Sequence, residues 1–273
     1  MPVEPLTEPT TEQLRREALP LAGRTALVTG VSRRNGIGYA IARRLAALGA
    51  RLFLHHYSPH DREQPWGEGA GGIQAVIDGV GEAVAGDLEL DLTAGDAPER
   101  LVSTAAGVAG PLDILVCNQA RSGGDGPLGT LTAAMLDDHY AVNSRSSILL
   151  AQAFAAQHDG RPGGRIIFMT SGQNLGPMTG EVAYAASKGA LAAITWTLSD
   201  ALADRGITLN TVNPGPVDTG YASGAAHEEV RRRFPAQHWG APDDPARLIA
   251  WLTTDEAAWI TGQVINSEGG FRR

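Results

Sequence analysis

The chain has 273 residues, 43% hydrophobic and 19% charged, with a formal net charge of −8. That composition fits a globular chain with a sizeable core and excludes a disordered or collagen-like one. The acidic balance argues against nucleic acid or an anionic membrane as a partner, and a single cysteine excludes an intrachain disulfide or a thiolate metal site.

Residues 1–22 read as a polar arm, with Glu4, Glu8, Glu12 and Glu17 and a proline at Pro20. The arm lacks the basic start and apolar middle of a signal peptide. No stretch of the chain reaches the roughly 18 apolar residues of a membrane span. A cytoplasmic protein is therefore expected. From residue 23 onward we expect a single catalytic domain.

Thr25–Thr29 predicts a short strand buried on both faces, because no polar residue alternates with the apolar ones. Gly30 to Gly38 is a turn rich in glycine and arginine. A helix follows, with Ile37, Ile41, Leu45 and Leu48 on one face, and Gly49 sits where a stop is expected. Arg51–Leu54 is a second strand, so the opening reads as a right-handed βαβ unit. Further strands are predicted at Leu88–Leu90, Ile114–Cys117, Arg165–Met169, Thr208–Val212 and Gln263–Asn266, and helices at Met135–Ala156 and Tyr184–Ala203. This alternation implies an α/β, Rossmann-type doubly wound fold, with a mostly parallel seven-stranded sheet and helices on both faces. Ser58–Gly81 and Pro214–Pro245 read as long irregular stretches leaving the carboxyl ends of strands, where such folds bind ligands. Cys117 reads as buried packing, and Arg231–Arg233 as a solvated helix face.

Gly30, Gly36 and Gly38 lie between a strand and a helix, the context that a dinucleotide fingerprint requires. Glycines let the backbone approach a pyrophosphate, and the helix N-terminus favours its charge. The second strand ends His55-His56-Tyr57, without the acid that holds the ribose of NAD. Arg33 and Arg34 in the turn suit a 2′-phosphate by charge and fork geometry. NADP(H) is thus favoured over NAD(H), which stays possible.

Tyr184 and Lys188 stand one helical turn apart on one face, with Ser171 thirteen positions upstream of the tyrosine. A lysine cation beside a phenol favours the phenolate, and a serine hydroxyl can hold a substrate oxygen beside it. This is a proton-transfer device for a carbonyl or an alcohol, and it needs no metal.

With these motifs in this order, the chain resembles the short-chain dehydrogenase/reductase family from about Gly23 to Phe271, and in particular its 3-oxoacyl-(acyl-carrier-protein) reductase-like members. Its glycine turn is two residues longer than the family's usual one. The four-residue spacing of Tyr184 and Lys188 speaks against the enoyl-reductase branch. The resemblance implies catalytic roles for Asn143, Ser171, Tyr184 and Lys188, with Asn143 holding a water in a proton relay. It implies cofactor contacts from Gly30, Ser32, Arg33, Arg34, Gly36, Ile37, Gly38, His56, Tyr57, Asp91, Leu92 and Asn118. Further along, it implies them from Pro214, Gly215, Val217 and Thr219. Gln119 replaces a small family residue and is expected to approach the substrate. Gln173, Asn174, Met178, Tyr221 and Trp239 are pocket candidates by position. The implied reaction is reduction of a ketone to a secondary alcohol, with alcohol oxidation as its reverse. The alternatives are an NAD-dependent alcohol, sugar or steroid dehydrogenase and a catalytically silent cofactor-binding protein. A small-molecule substrate and a homotetramer or dimer are implied as partners.

Overall fold

The computed structural model describes Arg15 and residues 18–273. Most of the expected polar arm lies outside the described residues. Its last part does not behave as an arm, because Leu21 is buried in the core and its N–H donates to the Leu48 carbonyl at 2.9 Å.

Seven strands form one sheet: β1 (Thr25–Val28), β2 (Arg51–His56), β3 (Val84–Glu89), β4 (Ile114–Cys117), β5 (Gly164–Met169), β6 (Ile207–Asn213) and β7 (Val264–Asn266). Their order is β3-β2-β1-β4-β5-β6-β7, and every pairing is parallel. The predicted third strand, Leu88–Leu90, starts earlier, at Val84. β3 is an edge strand left half-exposed along most of its length, so its first residues, Val84-Ala85-Gly86-Asp87, carry little apolar pattern.

Strand side chains alternate between the two faces, and each face has its own core. Ala26, Val28, Leu52, Leu54, Ile114, Val116, Ile167 and Met169 join one cluster. There they meet residues of α1 (Ile37–Ala47), α3 (Gly72–Val80) and α9 (Asp243–Leu252). Leu27, Phe53, Leu115, Cys117, Ile166 and Phe168 join the other. They pack with α4 (Ala97–Ala109), α6 (Ser146–Gln157) and α7 (Val182–Ala203). Burial on both faces explains why the central strands read as unbroken apolar runs.

The helix predicted over Met135–Ala156 is interrupted. α5 (Ala133–His139) passes into a wide π-helical turn, Tyr140–Arg145, before α6 begins. Hydrogen bonds out of that turn account for the break. Asn143 bonds the Arg121 backbone and Ser187, and Ser144 Oγ donates to the Ser187 carbonyl at 2.7 Å. The stretch Ser58–Gly81 contains α2 (Ser58–Glu63) as well as α3, and Pro214–Pro245 contains α8 (Gly224–Arg232). On α8, Arg231, Arg232 and Arg233 pair with Glu228 and Glu229 of the same helix, as a solvated face does. Among the described residues, no helix is long and apolar enough to cross a membrane.

Candidate active site

The chain runs outward from β1 through β2 to β3, then returns to lay β4 on the other side of β1. Such a reversal opens a crevice beyond the carboxyl ends of the strands. A cavity of about 960 Å³ lies there, lined by Gly30 after β1, Asp91 after β3, Asn118 after β4, Ser171 after β5 and Pro214 after β6.

At one end of the cavity, Gly36 opens α1 with no side-chain cap, and Gly36 and Ile37 both line the space. Uncapped amides at a helix start attract an anion. Gly30 has φ of +67°, and a Cβ there would lie 2.8 Å from the Gln119 Cα. A Cβ on Gly38 would lie 2.5 Å from the Gly30 carbonyl oxygen. Asn118 holds the same corner, its side-chain amide donating to the Thr29 and Gly30 carbonyls at 3.1 and 3.0 Å. Ser32, Arg33, Tyr57, Asp91, Leu92, Gly215, Val217 and Thr219 also line the cavity. Uncapped amides, an arginine and a close-packed glycine turn together suit a dinucleotide.

Three expected cofactor contacts do not line the cavity: Gly38, which packs against the Gly30 turn, Arg34 and His56. Arg34 turns out of the cavity and stacks over the Tyr39 ring at 5.7 Å, because Tyr39 and Gly79 offer it a packed surface on the far side of the turn. His56 points to the other face of β2 and bonds Asp87 at 3.0 Å. Strand alternation puts His55 at the cavity instead. His55 Nε2 lies 2.8 Å from the Leu90 carbonyl, so this nitrogen carries the proton; Nδ1 then accepts from the Gly30 N–H at 3.3 Å. Burial pushes His55 down to about 4, which keeps the imidazole neutral.

At the other end, the Tyr184 phenol lines the cavity with Ser171, whose hydroxyl is in hydrogen-bonding reach. Lys188 sits beneath, its Nζ 5.8 Å from the Tyr184 ring centre and donating to the Met169 carbonyl at 2.9 Å. Burial pushes the phenol up to about 12, with the Glu181 charge adding to it and Ser171 opposing. Burial likewise draws Lys188 down to about 8. The phenol is thus raised rather than lowered as expected, because desolvation favours the neutral form of both groups.

These shifts give a stability profile. Lys188 titrates lower when folded, so its burial costs stability below pH ~8 and that cost disappears as pH rises toward the unfolded value near ~10.4. Tyr184 titrates higher when folded, so stability present below pH ~10 is lost as pH rises through about 12. Urea unfolding without nucleotide should therefore show wild type gaining stability relative to Lys188→Met between pH 8 and 10. A flat difference over that window would show that Lys188 keeps its ordinary value.

The neighbours refine other expectations. Asn143 is fully buried and does not line the cavity; its amide bonds the Arg121 backbone and Ser187. Gln119 lines the cavity, but its amide nitrogen donates into the core to Ser146 and Ser147 at 2.9 and 3.0 Å. Met178 and Tyr221 line the cavity. Gln173 instead donates to Thr170 Oγ1 at 3.0 Å, and Trp239 stacks on His227 behind Tyr221. Asn174, in the turn after Ser171, is not among the cavity residues. Two acids beside Tyr184 carry no signal in the sequence. Asp125 accepts from the Ala183 and Tyr184 N–H groups at 3.0 and 2.7 Å and so fixes the start of α7, doing the work of an N-cap from another loop. Glu181 lines the cavity beside Tyr184, and burial pushes its carboxyl up. A long-range cap of this kind has no local sequence signal.

A parallel sheet with a dinucleotide crevice, and a Ser171-Tyr184 pair opening into it above the buried Lys188, define a nicotinamide-dependent oxidoreductase. The comparisons agree. A family model described as enoyl-(acyl carrier protein) reductase matches residues 30–272. The uncharacterized oxidoreductase YjdA of Bacillus subtilis (strain 168) is 43% identical over 250 residues, covering 91% of this chain and 96% of that protein. The 3-oxoacyl-[acyl-carrier-protein] reductase FabG of Rickettsia conorii is 31% identical over 260 residues, covering 92% and 97%. Among solved structures, a short chain dehydrogenase from Burkholderia cenocepacia J2315 in complex with NADP superposes with a TM-score of 0.80 at 36% identity, covering 92% of this chain and 98% of that one. The chain belongs to the short-chain dehydrogenase/reductase family, and it is an enzyme acting on CH–OH groups with a nicotinamide cofactor.

Proposed function

We propose that this enzyme reduces a ketone to a secondary alcohol with NADP(H), using Tyr184 as general acid. The carrying observation is the Ser171–Tyr184 pair at the cavity wall with Lys188 buried beneath it. When bound, the reduced nicotinamide supplies hydride to the carbonyl carbon. Ser171 and Tyr184 donate hydrogen bonds to the carbonyl oxygen, and Tyr184 gives its proton as charge grows there. A phenol held near 12 by its surroundings is fully protonated at neutral pH and ready for that role. Lys188 supplies the positive charge that stabilises the phenolate left behind. Asn143 acts through position: it pins the Arg121 loop to the π-helical turn beside α7. The Gly36-Ile37 amides hold the pyrophosphate, Arg33 meets the 2′-phosphate, and Asp91 and Leu92 contact the adenine.

Similarity to a 3-oxoacyl-(acyl-carrier-protein) reductase makes a 3-oxoacyl thioester the first substrate to test. The description of the matching family model names enoyl reduction instead. That chemistry reduces a carbon–carbon double bond, and a serine hydroxyl set beside the phenol suits a carbonyl oxygen better. A panel of small ketones, 3-oxoacyl thioesters and enoyl thioesters, each assayed with NADPH, tests the reading. Turnover is expected with ketone-bearing compounds. Turnover of enoyl thioesters alone would defeat the proposal.

A further inference from the structure

β2 ends without an acid, but the chain supplies one immediately afterwards. α2 folds back over the glycine turn and brings Asp61 into the dinucleotide cavity beside Arg33. Arg33 Nε lies 2.9 Å from Asp61 Oδ1, and both side chains are nearly buried, at 13% and 10% exposure. Trp66 Nε1 donates to the same oxygen at 3.1 Å, and the Arg33 guanidinium lies 5.2 Å over the Trp66 ring. Arg33 Nη1 also donates to the Thr219 carbonyl at 3.1 Å. The cation that suits a 2′-phosphate is therefore held by a carboxylate, a ring and the loop after β6. Both contacts fall on Asp61 Oδ1, and Asp61 itself lines the cavity.

We propose that Asp61 sets the nucleotide selectivity of this cavity: its carboxylate occupies Arg33 and presents an acceptor for a ribose hydroxyl, so NAD(H) competes with NADP(H). A 2′-phosphate must enter beside that carboxylate, and like charges placed together oppose binding. A free ribose hydroxyl meets no such opposition and gains an acceptor. Asp61 thus takes over, from a helix, the task that an acid at the strand end performs elsewhere. The inference rests on the reading that the cavity binds a nicotinamide dinucleotide. It does not depend on which carbonyl is reduced.

Binding of two fragments tests it without turnover. Adenosine 2′,5′-bisphosphate and 5′-AMP, titrated calorimetrically, report the ribose end alone. Asp61→Asn should tighten the bisphosphate and weaken AMP, moving their affinity ratio roughly tenfold toward the bisphosphate. Asp61→Glu, which keeps the charge, should restore the wild-type ratio. An unchanged ratio in Asp61→Asn, or one moved toward AMP, would overturn the proposal. Should Asp61→Asn fold poorly, Asp61→Ser decides instead: it too removes the carboxylate, and the ratio should move toward the bisphosphate by a similar factor. An unchanged ratio in Asp61→Ser would sink the idea. Failure of either nucleotide to bind wild type would remove the cofactor site itself, a different result from an unchanged ratio.

Discussion

Tyr184→Phe is expected to lower kcat for ketone reduction by about 10²–10⁴, the usual contribution of a positioned general acid, while leaving NADPH affinity within about twofold. The variant removes one oxygen and little else. The ring keeps its edge-on contact with His139 at 6.5 Å, and α7 keeps its Asp125 anchor at the Tyr184 N–H. The phenol is raised by burial, so losing it removes a desolvated polar group rather than an ion pair. Unfolding by urea should therefore change little. Single-turnover assays with NADPH and nucleotide titration separate the two effects. Wild-type kcat in this variant would show that another acid protonates the product, and Glu181, raised by burial and lining the same cavity, would be the first to examine.

Much of the fold is legible because its central strands are buried on both faces. Leu27, Phe53 and Leu115 alternate with Val28, Leu54 and Val116 between two cores, so unbroken apolar runs mark the sheet. The Tyr184–Lys188 pair is legible for a local reason: one helical turn links the two, and periodicity alone places them on one face. Features made by long-range contact are not legible. The π-helical turn at Asn143 depends on partners at Arg121 and Ser187. The Asp125 cap reaches α7 from 58 positions away. Composition hides α2, because Pro59 and the glycines beyond Gly67 read as loop; Pro59 in fact sits in the first turn of the helix, where its missing N–H costs nothing. The exchange of His56 for His55 is a one-residue error with a full consequence, since side chains on a strand alternate faces. Arg33 and Arg34 are parted by contacts distant in sequence: Arg34 packs on Tyr39, while Asp61 and the Thr219 carbonyl hold Arg33 at the cavity.

Gly38→Ala is expected to reverse the usual sign of a glycine replacement in a helix. Alanine normally favours a helix interior over glycine by roughly 0.5–1 kcal/mol. Gly38 lies in the first turn of α1 with an ordinary helical backbone, so no conformational strain opposes the change. Contact opposes it instead. The new Cβ would stand 2.5 Å from the Gly30 oxygen and 2.7 Å from Asn118 Nδ2, and the first of these is backbone that cannot rotate away. Either α1 withdraws from the turn, or the Asn118 bonds to Thr29 and Gly30 break. Overpacking costs about 1–3 kcal/mol and each lost bond about 1 kcal/mol, so a net loss of about 2–4 kcal/mol should appear in urea unfolding. Because α1 carries the amides proposed to hold the pyrophosphate, dinucleotide affinity should fall by at least about tenfold. Gly36→Ala is the control for stability: its Cβ would meet only the Arg33 carbonyl, at 3.2 Å, and a loss below about 1 kcal/mol is expected. If Gly38→Ala proves as stable as wild type and binds nucleotide as well, the close approach of α1 to the Gly30 turn is not what shapes this site.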